Sequence, residues 1–146
     1  MYSYNMKIKG TKGFTLIELL VVISLIGILS TLVIANMNSA RERARDAQRK
    51  SDLRNIQTGL RIYYNDNGGY PPASEINAAW GGEWSKSGVV YMNTLPIDPL
   101  SPAQDYTYTS ADTDDFLLKS CLENKSDDKG EVDLSCPSGY KYEVKP

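Results

Sequence analysis

The chain has 146 residues, 16 Lys and Arg against 18 Asp and Glu, two cysteines and no histidine. That length holds about one modest domain, and the missing histidine excludes Ser–His–Asp and Cys–His catalysis and most zinc sites. The formal charge of −2 averages four unlike segments: +3 over residues 1–13, −1 over 14–40, +4 over 41–61 and −8 over 62–146.

A basic stretch with Lys7, Lys9 and Lys12 precedes an apolar run from Phe14 to Ala35 whose only charge is Glu18. As a helix this run spans roughly 33 Å, about the thickness of a hydrocarbon core. The residues beyond position 65 are too few to wrap a helix that is apolar on every side, so a buried globular helix is a poor reading. A cleaved secretory signal has an apolar core of about 7–15 residues, and here the helical pattern runs on through Val33-Ile34-Ala35. The reading is a membrane span. Charge does not orient it: the leader has three lysines, but Arg41, Arg43, Arg45, Arg49 and Lys50 flank the other end. Cys121 and Cys136 form the only possible intrachain pair and point to an oxidising compartment outside, with two free thiols as the alternative.

An ionised carboxylate inside a span costs about 2.5–3.5 kcal/mol on insertion scales, and such residues are usually functional. Thr15-x-x-Glu18 also has the spacing of a capping box, in which Glu18 would bond a free amide at the helix start. The two roles are compatible, because a cap leaves the charge in place. A cut between Gly13 and Phe14 would create an α-amino group one helical turn from Glu18, able to pair within the chain or with a neighbouring copy.

Helical periodicity continues to about Asn65, giving about 52 residues and roughly 78 Å. Ala40, Ala44, Ala47 and Ser51 form a small-residue stripe, and Leu53, Ile56, Leu60 and Tyr63 a large one on nearly the opposite face. The large stripe would carry the chain's own domain; the small one would admit another helix or consist only of good helix formers on a solvated face. The basic charges of 41–61 lack interleaved aromatics, so nucleic acid is not the expected partner; pairing with the acidic domain of another subunit, or plain solvation, is.

Gly68-Gly69-Tyr70-Pro71-Pro72 ends the helix. An irregular connection is expected over 73–88. Strands follow at Val89–Met92, Asp105–Thr109, Phe116–Cys121 and Tyr140–Val144, with a hairpin loop at Ser110–Asp114. Glu123, Asp127, Asp128, Glu131 and Asp133 lie between the cysteines. They lack alternating calcium-loop spacing, so a solvated loop without metal is expected.

Lys12-Gly13-Phe14-Thr15-Leu16-Ile17-Glu18, between a basic leader and about 20 apolar residues, resembles the processing motif of type IV pilins and type II secretion pseudopilins. The similarity continues through Tyr63-Tyr64, Asp66-Asn67-Gly68-Gly69-Tyr70-Pro71, Leu95-Pro96-Ile97-Asp98-Pro99, Tyr106 and Tyr108, covering about residues 7–110, and is closer to the major pseudopilins. It implies an α+β pilin fold: a leader at 1–13, a transmembrane and assembly segment at 14–35, an amphipathic helix half at 36–65, and a small β-sheet domain at 66–146. It further implies cleavage after Gly13 by a membrane prepilin peptidase, N-methylation of Phe14, and subunit alignment by Glu18. The leader would lie inside and the C-terminal domain outside the inner membrane. Partners would be membrane lipid, the peptidase, an assembly platform and copies of the chain in a helical filament. No cofactor or catalytic role is implied.

Three departures bear on subtype. Ala35 stands where many relatives have proline, so an unbroken helix is expected, with Gly27 its weak point. The glycine-rich acidic calcium stretch of major pseudopilins is missing, and the cysteine pair is more like that of adhesive and twitching pilins. A type IV pilus or DNA-uptake pilin is therefore the alternative. A monomeric, single-span anchored binding module is the alternative of another class.

Overall fold

The computed structural model describes residues 13–127 and 129–146. The leader lysines Lys7, Lys9 and Lys12, and Asp128 of the acidic loop, lie outside the described residues. Helix α1 runs Leu16–Asn67 and passes Gly27 and Ala35 without a break. It is followed by α2 (Ala73–Ala79), β1 (Trp84–Lys86), β2 (Val89–Met92), β3 (Thr107–Thr109), β4 (Leu117–Cys121), β5 (Glu131–Val132) and β6 (Tyr140–Val144). The fold is α+β, with a long N-terminal helix and small antiparallel sheets. The chain divides into two compact units between Asn38 and Ser39.

In the first unit the apolar side chains of α1 have no covering, from Leu16 at 88% exposure to Met37 at 43%. Its few hydroxyls turn inward on the backbone. Ser24 Oγ donates to the Leu20 carbonyl, Ser30 Oγ to Ile26 and Thr31 Oγ1 to Ile28, each at 2.7 Å. A helix satisfied in this way leaves few polar groups asking for water, which a hydrocarbon setting demands.

In the second unit Leu53, Ile56, Leu60 and Tyr63 meet Ile76, Trp84, Leu95, Tyr106, Tyr108, Phe116, Leu118 and Val144 in one core. The sheet has the order β3-β4-β6-β5 and is antiparallel throughout. Along β4 burial alternates, with Leu118 and Ser120 inward, as a sheet covered on one face requires. Ala40, Ala44, Ala47 and Ser51 are all exposed, on the side away from the core stripe.

The stretch 73–88 is not irregular: it holds α2 and β1. Pro71-Pro72 starts α2 rather than only stopping α1, since proline is preset for the positions opening a helix. Strand β1 pairs with β2 around Ser87-Gly88, both at positive φ (52° and 85°), as a two-residue hairpin turn requires. Tyr63 stacks on Trp84 with ring centroids 5.4 Å apart. Gly59 permits this approach, since a Cβ there would lie 3.2 Å from the Trp84 ring.

Two tyrosines carry their hydroxyls into the core. Tyr106 donates to Asp52 Oδ2 at 2.8 Å and Tyr108 to the Pro71 carbonyl at 2.9 Å. Burial pushes both phenols up, and the Asp52 carboxylate adds to the effect on Tyr106. A folded-state pKa above the unfolded value contributes stability below that value, which is lost as pH rises. Tyr106 and Tyr108 are expected to stay protonated as pH passes the ordinary phenol value of about 10 and to ionise with unfolding. Phenolate absorbance followed beside near-ultraviolet circular dichroism checks this.

Candidate processing and assembly site

Phe14 is 80% exposed, and among the described residues none beyond its chain neighbours comes within 4 Å of where a Gly13 side chain would be. The junction is therefore open backbone just ahead of α1. One turn in, Thr15 and Glu18 close on each other. The Thr15 amide donates to Glu18 Oε2 at 2.9 Å, Thr15 Oγ1 donates to the same oxygen at 2.7 Å, and the Glu18 amide donates to Thr15 Oγ1 at 3.3 Å. This is the reciprocal capping box, so the local role of Glu18 is present. The cap places the carboxylate beside Phe14, Ile17, Val21 and Val22, which line an open apolar groove of about 350 Å³. The net charge is uncompensated by any cation among these lining residues.

The second polar constellation lies on the other unit, and sequence periodicity hinted at it. Extending the large-residue stripe backward by steps of four and three leads from Leu53 to Arg49 and Asp46, both buried. Arg49, fully inaccessible, forms a two-pronged pair with Asp98: Nε to Oδ2 at 2.7 Å and Nη2 to Oδ1 at 3.0 Å. Its Nη1 donates to Asp46 Oδ1 at 2.8 Å and Glu123 Oε1 at 2.6 Å. Asp46 accepts the Glu123 and Asn124 amides, and Asp98 accepts the Leu100 amide and Gln104 Nε2. Burial alone would lower the Arg49 guanidinium, but Asp98, Glu123 and Asp46 outweigh it and hold it above the ordinary arginine value. Arg45, then burial and Arg49, set the balance at Glu123, whose carboxyl ends below its usual range.

These contacts correct two expectations. Arg45, Arg49 and Lys50 find their acids within the chain, on Glu123, Asp98 and Asp127, rather than on another subunit. The acidic loop is not a solvated string, since Asp133 also pairs with Lys119. Its carboxylates are spread over separate cations, and among the described residues no group of three or more potential ligands could hold a metal ion. Cys121 and Cys136 are joined, with Cα atoms 5.3 Å apart.

A bare apolar half-helix opened by an exposed glycine–phenylalanine junction, continuing into a small antiparallel α+β domain, defines the class of type IV pilin-like subunits. Residues 8–34 match the prokaryotic N-terminal methylation motif. The chain is 32% identical over 110 residues to the type II secretion system core protein G of Pseudomonas aeruginosa, covering 69% of this chain and 76% of that protein. It is 36% identical over 113 residues to the Aeromonas hydrophila protein of the same name, covering 68% and 79%. The Escherichia coli counterpart is 33% identical over 97 residues, covering 60% and 66%. No solved structure matches. The chain belongs to the type II secretion core protein G family and is a pseudopilin; the pilus, DNA-uptake and monomeric-module readings are not favoured.

Proposed function

We propose that this pseudopilin is inserted with residues 1–13 in the cytoplasm and residues 66–146 outside, with 14–35 as its single span and 36–65 continuing the helix. Prepilin peptidase cuts between Gly13 and Phe14, and Phe14 is N-methylated. The new terminal ammonium then compensates Glu18 of an adjacent copy as the subunit leaves membrane lipid, through an assembly platform, for a helical filament. The chain acts as a structural subunit and not as an enzyme.

The observation carrying this reading is the one-turn spacing of exposed Phe14 from the carboxylate of Glu18, inside a stretch that matches the methylation motif. The catalytic alternative has little to build on. The chain has no histidine to activate a nucleophile, and Asp98, on the cavity of about 400 Å³ beside Trp80 and Tyr106, is engaged by Arg49. Intact-mass and N-terminal peptide spectrometry of assembled material should find Phe14 first, bearing one added methyl group. Assembled material that still starts at Met1 would overturn the proposal.

A further inference from the structure

Among the described residues of the loop between the cysteines one apolar side chain, Leu122, is fully buried, and the loop adds none to the main core cluster. What it does contribute is cover for the helix. Glu123 takes Arg45 Nε at 2.7 Å and Arg49 Nη1 at 2.6 Å, Asp127 takes Lys50, and the Glu123 and Asn124 amides cap Asp46. Every one of these groups lies within six residues of Cys121. The loop is fixed at its start where the Leu122 amide meets the Tyr140 carbonyl, and Gln104 Nε2 bridges the Cys121 carbonyl and Asp98. Its far part is held by the pairing of β5 with β6 and by Lys119 on Asp133, and Cys136 ties its end back to β4.

We propose that the Cys121–Cys136 bridge is a redox clasp: closed, it holds the 121–136 loop over the basic helix segment Arg45–Lys50, and opened, it frees that segment while the core stays folded. Closing the bridge removes one proton and one electron from each thiol. An oxidant carrying its own disulfide receives them by thiol–disulfide exchange and leaves as two thiols. Free closure of a loop this long is worth about 3 kcal/mol in the chain-entropy model, enough to decide whether a surface loop stays docked. The basic segment is thus covered only in a compartment where disulfides form.

The test uses the full chain in nonionic detergent, oxidised or reduced with dithiothreitol, and a Cys121→Ser/Cys136→Ser variant. Lysines are labelled with an acetyl succinimide ester and arginines with phenylglyoxal, and sites are mapped by mass spectrometry. Lys50 labelling should rise about tenfold in the reduced chain and in the variant, as local opening predicts, with exposed Lys145 unchanged. Arg49 should gain less, because Asp98 lies outside the loop and keeps its hold. Tryptophan fluorescence should not shift, since Trp84 sits in the core. Unchanged Lys50 labelling with both thiols titratable would overturn the proposal. So would fluorescence changing in step with Lys50, because the bridge would then support the whole domain and not the clasp.

Discussion

Arg49→Ala should lower folding stability by about 3–5 kcal/mol, the cost of breaking a buried pair from one side. The loss comes less from the missing attraction than from what stays behind. Asp98 and Asp46 remain buried with only amide donors around them, Leu100 and Gln104 on one, Glu123 and Asn124 on the other. Both carboxylates must then take up protons or admit water. For a unit of this size each kcal/mol moves the midpoint by about 4–8 °C, so thermal unfolding in detergent should drop by roughly 15–30 °C. Arg49→Lys should fall between, since an ammonium keeps the charge but cannot make the two-pronged contact. Arg61→Ala, at an exposed site on the same helix, should stay within about 0.5 kcal/mol of the parent. If Arg49→Ala unfolds within a few degrees of the parent, the network contributes no net stability.

The second large effect is on assembly. Glu18→Gln separates the two roles of this residue, because a glutamine oxygen still accepts the Thr15 amide and preserves the capping box while the charge disappears. If the charge docks one copy on the next, assembled material recovered by shearing and sedimentation should fall by about two orders of magnitude. That corresponds to roughly 2.5 kcal/mol, the lower insertion cost of an unpaired carboxylate, at 1.36 kcal/mol per decade. Cleavage after Gly13 should persist, so the processed subunit accumulates in the membrane. Glu18→Ala should do the same and also fray the helix start. Normal filaments from Glu18→Gln would reduce Glu18 to a cap.

Much of this was legible in the sequence. The apolar run, the 3-4-3 stripe of Leu53, Ile56, Leu60 and Tyr63, and the alternation around Tyr106 and Tyr108 are local signals, and local signals survive folding. The capping box was legible for the same reason, its partners being three residues apart. What escaped was non-local or short. Helix α2 has a single buried side chain, Ile76, too little to show a period, and β1 is read only through the Ser87-Gly88 turn. The charged core escaped because a buried arginine is indistinguishable from a solvated one until Asp98, 49 positions away, and Glu123, 74 away, are known to converge. Its trace was the stripe continuing through Arg49 and Asp46 at apolar spacing. The expectation of intersubunit pairing failed for a related reason: composition gave the right charges and no information on whose they were.

The bare half of α1 has a thermodynamic consequence for the proposed polymer growth. Leaving a bilayer for the company of like helices exchanges one oily environment for another, so its leucines and isoleucines gain little from the transfer. Solvent entropy, which drives most protein association, cannot supply the bias here. In the proposed assembly the direction of growth would have to come from close van der Waals fit and from the few polar groups able to distinguish a neighbour from a lipid.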